Sequence, residues 1–110
     1  MVAVLKDLFF VARIRETARL AAVSLVFART VEELKRVITP STRFALVDLT
    51  SDLDYAQIFR QLEQAHIPAL GFTTHALARQ TQPLHAHCRR VVTKETLTRE
   101  LGVLLQRGLP

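Results

Sequence analysis

The sequence has no tryptophan, no asparagine, one cysteine, one tyrosine and only three glycines in 110 residues. A single cysteine, Cys88, excludes an intrachain disulfide and fits a reducing cytoplasm. With so little glycine and no asparagine, tight hairpin turns of the Asn-Gly kind cannot be common, which argues against a sheet of hairpins. Neither Gly-x-Gly-x-x-Gly nor Gly-x-x-x-x-Gly-Lys occurs, so the phosphate-cradling loops of those two motifs are absent. Within the longest run without a charge, Ala65–Ala78 is interrupted by Pro68 and Gly71. It falls short of the roughly 20 apolar residues a membrane span needs. At the amino end, Val2–Leu5 has no basic lead and is cut off by Lys6 and Asp7, so no secretory signal is expected.

Apolar residues make up 49% of the chain, enough for a packed core and too many for a disordered one. The length suits one domain, residues 1–110. Fifteen Lys and Arg against ten Asp and Glu leave a net charge of +5. A basic balance permits nucleic-acid binding, but the arginines are scattered and no aromatic residues interleave with them. Nucleic acid is therefore not the expected partner, although a basic nucleic-acid-binding protein remains an alternative reading.

Short apolar runs alternate with helical patterns. Val2–Leu5 predicts a buried strand, and Leu8–Ala22 a helix with Phe10 or Val11, Ile14, Ala18 and Ala21 on one face. Val23–Phe27 predicts a second strand. Thr30-Val-Glu-Glu33 has the form of a capping box and opens a short helix with Val31, Leu34 and Val37 or Ile38 inward, which Pro40 ends. Phe44–Val47 predicts a strand ending at Asp48; Tyr55–Ala65 predicts a helix with Ile58, Leu62 and Ala65 inward. Pro68–Phe72 predicts a fourth strand. His75–Cys88 favours helix, with Pro83 breaking or restarting it. Val91–Val92 sits in a fifth strand, and Leu97, Leu101, Leu104 and Leu105 mark a final helix, with Gly108 and Pro110 past its end. Strand and helix alternate five times, which predicts an α/β fold: a five-stranded parallel sheet in the order 2-1-3-4-5, with helices on both faces in three layers.

In such a sheet the binding crevice lies beyond the carboxyl ends of the strands. That rule selects Lys6 and Asp7 after strand one, Asp48 after strand three, Thr73 and Thr74 after strand four, and Thr93 and Lys94 after strand five. Two carboxylates, two ammonium groups and several hydroxyls are expected to converge there.

The layout resembles the receiver domain of bacterial response regulators, a flavodoxin-like fold, across essentially the whole chain. Val-Ala-Val-Leu-Lys6-Asp7 matches the family's acidic-pair segment, and Phe44-Ala-Leu-Val-Asp48 its phosphoacceptor strand. Pro68-Ala-Leu-Gly-Phe-Thr73 is similar to the strand that ends in a hydroxyl, and Lys94-Glu-Thr-Leu-Thr-Arg-Glu-Leu101 to the lysine and last helix. The departures are Lys6 in the first acidic position, no proline in the loop after Asp48, Glu95 after the lysine, and Val91 where an aromatic residue usually stands. Family receivers hold Mg²⁺ against a net negative site. Here Asp7, Asp48, Lys6 and Lys94 sum to zero, and Lys6 is expected to pair with Asp48 or Asp7 in the metal's place. The resemblance thus implies an atypical, phosphorylation-independent receiver in two-component signal transduction, with Asp48 as the phosphoacceptor equivalent and no cofactor. The alternative is a working phosphoacceptor that uses Asp7, Asp48 and Mg²⁺.

His85, His87 and Cys88 are the most ligand-like run, but their spacing matches no zinc pattern. Cys88 with either histidine lacks a positioned acid or an oxyanion hole, so no enzyme activity is expected. Phe9, Leu53, Leu77 and Leu109 have no assured place in a core; exposed together they make an interaction patch. The expected partner is another protein, docking through the fourth and fifth helices, or a second copy in a homodimer. No attached output domain is expected.

Overall fold

A computed structural model describes residues 1–107; Gly108, Leu109 and Pro110, and the expectations placed on them, lie outside the described residues. Five parallel strands, β1 (Val2–Val4), β2 (Val26–Ala28), β3 (Ala45–Asp48), β4 (Ala69–Thr73) and β5 (Arg90–Thr93), form one sheet in the order β2-β1-β3-β4-β5. Helices α1 (Leu8–Leu20), α2 (Val31–Val37), α3 (Tyr55–Gln64), α4 (Gln82–His85) and α5 (Lys94–Arg107) alternate with them. The expected three-layer α/β/α architecture and strand order are both observed.

The strands read as unbroken apolar runs because both faces of the sheet are covered. Successive residues point to opposite faces, so each strand feeds two cores. Ala3, Leu46, Leu70 and Phe72 pack with Phe10, Ile14, Ala18 and the leucines of α5 on one side. Val2, Val4, Ala45 and Val47 pack with Val31, Leu34, Ile58, Phe59 and Leu62 on the other. In α3 the buried stripe is Ile58, Phe59 and Leu62; Ala65, expected inward, caps the helix and is exposed.

Both α1 and α3 end in a left-handed residue that is not glycine, Ala22 (φ 56°) and His66 (φ 57°). Each closes a paired cap. The N–H groups of Ala22 and Val23 donate to the carbonyls of Arg19 and Ala18, and those of His66 and Ile67 to Glu63 and Leu62. The α1 cap uses Val23, and β1 offers β2 only three partners, Val2 to Val4, so β2 begins later than the apolar run predicts. Thr30 accepts the Glu33 N–H at 3.1 Å and starts α2; among the described residues the return bond from the Glu33 side chain is not formed. Between β4 and β5 the chain makes a 3₁₀ turn (His75–Leu77) and then α4, a single turn of helix with Pro83 in its first turn. Proline there lacks only an N–H that the helix start leaves unused, so Pro83 restarts the helix.

Candidate functional site

The carboxyl ends of the strands bring the selected residues to one end of the sheet, but not into one cluster. Asp7 caps α1: its Oδ1 accepts the N–H groups of Phe9 at 3.0 Å and Phe10 at 3.3 Å. Lys94, the first residue of α5, reaches across with Nζ 3.4 Å from Asp7 Oδ2 and 5.2 Å from the Phe10 ring centre. The Phe10 N–H, with Lys94 adding to it, holds the Asp7 carboxyl below the usual aspartate range. Asp7 and Lys94 are thus the one ion pair formed among the selected residues.

Asp48 is separate and almost wholly buried, at 1% exposure. Its Oδ1 accepts the Thr50 N–H at 2.9 Å and the Thr50 hydroxyl at 2.7 Å, and its Oδ2 accepts the Ser51 hydroxyl at 2.7 Å. The Tyr55 hydroxyl shares its one proton between the carbonyls of Asp48 (2.6 Å) and Ser51 (2.8 Å) and locks the loop that carries these donors. Burial, and after it the Asp48 charge, push the Tyr55 hydroxyl well above its ordinary value, so it remains a donor. The cage is local: an aspartate whose side chain bonds the backbone two residues on, joined by neighbouring hydroxyls, is a recurrent turn device.

Lys6 does not do what the charge count suggests. It pairs with neither Asp48 nor Asp7; its exposed Nζ donates to the Asp52 carbonyl at 2.7 Å. Pairing with Asp48 would bury an ammonium group, which carries a desolvation cost. The Thr50 and Ser51 hydroxyls are neutral and already adjacent. Lys6 instead ties the end of β1 to the loop between β3 and α3. It lies in a cleft of about 460 Å³ with Arg29, Lys35, Asp52 and Asp54 among its walls.

Thr73 is buried and belongs to another chain of bonds. The Thr81 hydroxyl lies 3.2 Å from Thr73 Oγ1 and 2.9 Å from His85 Nε2. The composition of this segment gave no sign of that pairing, because Thr81 stands eight residues from Thr73 across an irregular connection. His87 stacks on Phe59, with ring centres 5.0 Å apart, and its Nδ1 lies 3.1 Å from Glu63 Oε1. Cys88 packs toward Gly71 and Leu84, and burial pushes its thiol up to about 11. His85, His87 and Cys88 therefore face different neighbours. Among the described residues no group of three or more His, Cys, Asp or Glu is placed to hold a metal ion.

The donor set does not fit Mg²⁺ at Asp7 and Asp48. A hard cation needs free carboxylate oxygens, and here one carboxylate caps a helix and pairs with Lys94 while the other is hydrogen-bonded on both oxygens. The fold and this end of the sheet define a doubly wound α/β protein with a closed, hydroxyl-capped aspartate beside its switch in strand order. No protein-family model, curated protein or solved structure matches the chain. Among the described residues no helix is long and apolar enough to cross a membrane.

Proposed function

We propose that this chain is an atypical receiver-like module that acts by binding another protein and does not use phosphorylation of Asp48. The observation that carries the reading is the enclosure of the Asp48 carboxylate, which accepts three local hydrogen bonds and is shut off from solvent. Phosphoryl transfer to an aspartate depends on positioning and on cations that neutralise the transferred group. A nucleophilic oxygen must be open to the incoming phosphorus. Both Asp48 oxygens accept bonds from Thr50 and Ser51, Lys6 and Lys94 bond the Asp52 carbonyl and Asp7 instead, and the side chain is closed to solvent. Hydrogen bonding by local hydroxyls, rather than charge pairing with Lys6, is what makes the pocket self-sufficient. The arginines also weigh against a nucleic-acid surface: Arg19 and Arg90 sit in ion pairs with Glu16 and Glu100, and Arg15 lies over the Phe27 ring.

The test is a challenge with acetyl phosphate, and separately with beryllofluoride, in excess Mg²⁺, read by intact mass and by amide chemical shifts. The expected result is no adduct and no shift at residues 48–55. A phosphoryl adduct mapped to Asp48 would overturn the reading in favour of a working phosphoacceptor.

A further inference from the structure

Among the described residues, the α1–α5 side carries apolar surface left open to solvent. Phe9 is 91% exposed and Leu20 is 72% exposed. With Arg13 and Glu16 they form a stripe spaced four, three and four residues apart along α1, away from the buried Phe10, Ile14 and Ala18. This is the spacing a second helix packs against. Beside Leu20, a shallow groove of about 310 Å³ runs between α1 and α5, with Ala21, Gly102 and Val103 among its walls. A β-carbon built on Gly102 meets nothing within 4 Å, so the groove has room for an incoming side chain.

We propose that two copies of the chain form a twofold dimer through α1, the helices antiparallel, with Phe9 of each protomer seated in the groove beside the partner's Leu20. The inference rests on the interaction-module reading and names the partner. Positions 9 and 20, and positions 13 and 16, share one midpoint on the helix. A twofold axis there lays Arg13 against the partner's Glu16 twice and Phe9 against the partner's Leu20 twice, as a self-complementary interface requires. A parallel pairing would set arginine on arginine. Glu16 now bonds Arg19 of its own helix at 2.6 Å and 3.0 Å, but that pair is exposed and worth little, so the exchange is cheap. Ala12 falls opposite the partner's Thr17, and two small side chains let the helices approach to roughly 8–10 Å. Phe9 and Leu20 lie about 16 Å apart along α1, so the two apolar contacts flank the charged centre. An unrelated protein seated here would not need Arg13 and Glu16 to be reciprocal; a second copy does.

Sedimentation equilibrium of the whole chain, from about 1 µM to about 1 mM, tests this. The wild-type chain is expected to dimerise with concentration. Phe9→Asp, Arg13→Glu and Glu16→Arg should each weaken association about tenfold or more. All three sites are exposed, and circular dichroism checks that the variants fold. An equimolar mixture of Arg13→Glu with Glu16→Arg should restore a heterodimer, since every glutamate then faces an arginine. A wild-type chain still monomeric at about 1 mM overturns the proposal. So does a dimer that the charge variants leave unchanged, or one whose mixture fails to recover, and binding of a different protein to this face by a monomeric chain counts against it equally. The phosphate challenge reads a separate event. A dimer that takes phosphate on Asp48 refutes only the earlier reading; a monomer without an adduct refutes only this one.

Discussion

Two glycines in this chain are expected to respond to the same substitution with opposite signs. Gly71 lies in the buried middle of β4. A β-carbon there would stand 2.8 Å from Cys88 Sγ and 2.8 Å from Leu49 Cδ1, closer than non-bonded atoms settle. Overpacking of this kind costs about 1–3 kcal/mol. Removing glycine's freedom in the unfolded chain returns about 0.4–1 kcal/mol. Gly71→Ala should therefore destabilise by about 1.3 kcal/mol, the difference of the central values of those two effects. Gly102 sits inside α5 with open space where its β-carbon would go. Gly102→Ala should stabilise by about 0.8–1 kcal/mol, the helix preference of alanine over glycine. Urea denaturation of both variants, at concentrations where the chain is monomeric, gives the free energies at constant slope. Cys88→Ala removes one of the two clashing atoms, so in that background the cost of Gly71→Ala should shrink by about 0.5–1 kcal/mol. If Gly71→Ala is neutral, or gains as much as Gly102→Ala, the close packing of β4 against Leu49 and Cys88 is wrong.

Further outcomes follow from the caps. Asp7→Ala removes the α1 cap and should cost about 1 kcal/mol. Because the folded Asp7 carboxyl lies below its ordinary value of 3.8, its contribution is present above about pH 4 and is lost as pH falls through the folded value. The difference in urea midpoint between the wild type and Asp7→Asn, which keeps a cap but no charge, should accordingly vanish toward about pH 2. His66 and Ala22 hold left-handed backbone that glycine adopts without strain. His66→Gly and Ala22→Gly should each raise the urea midpoint, by about 0.5–1 kcal/mol in stability, and a loss in either variant would refute the strain argument.

The architecture was legible because local signals agreed with one another. Short apolar runs, few glycines and a threonine cap each point to parallel strands with helical crossovers, and the strand order expected from them is the commonest doubly wound arrangement of five such strands. Boundaries slipped where one element borrowed residues from the next, as when the α1 cap took Val23 from the apolar run that precedes β2. The site was legible in position and not in pairing. Strand ends selected Lys6, Asp7, Asp48, Thr73 and Lys94, but counting formal charges cannot tell which donor reaches which acceptor. Asp48 went to Thr50 and Ser51 because neighbouring hydroxyls order cheaply and need no buried cation, while Lys6 stayed in solvent on a backbone carbonyl. The Asp-Leu-Thr-Ser sequence held that information as a turn signature rather than as a charge balance.

The sheet divides the buried side chains into two separate clusters, one on each face. Phe10, Ile14 and the α5 leucines lie on one side, and Ile58, Leu62 and the Asp48 loop's supporting residues on the other. Substitutions in different clusters should add nearly independently, since their side chains pack against different neighbours. Such insulation lets the α1–α5 surface drift toward a new binding preference while the aspartate cage stays intact, and lets the cage decay or be rebuilt without disturbing whatever the surface holds.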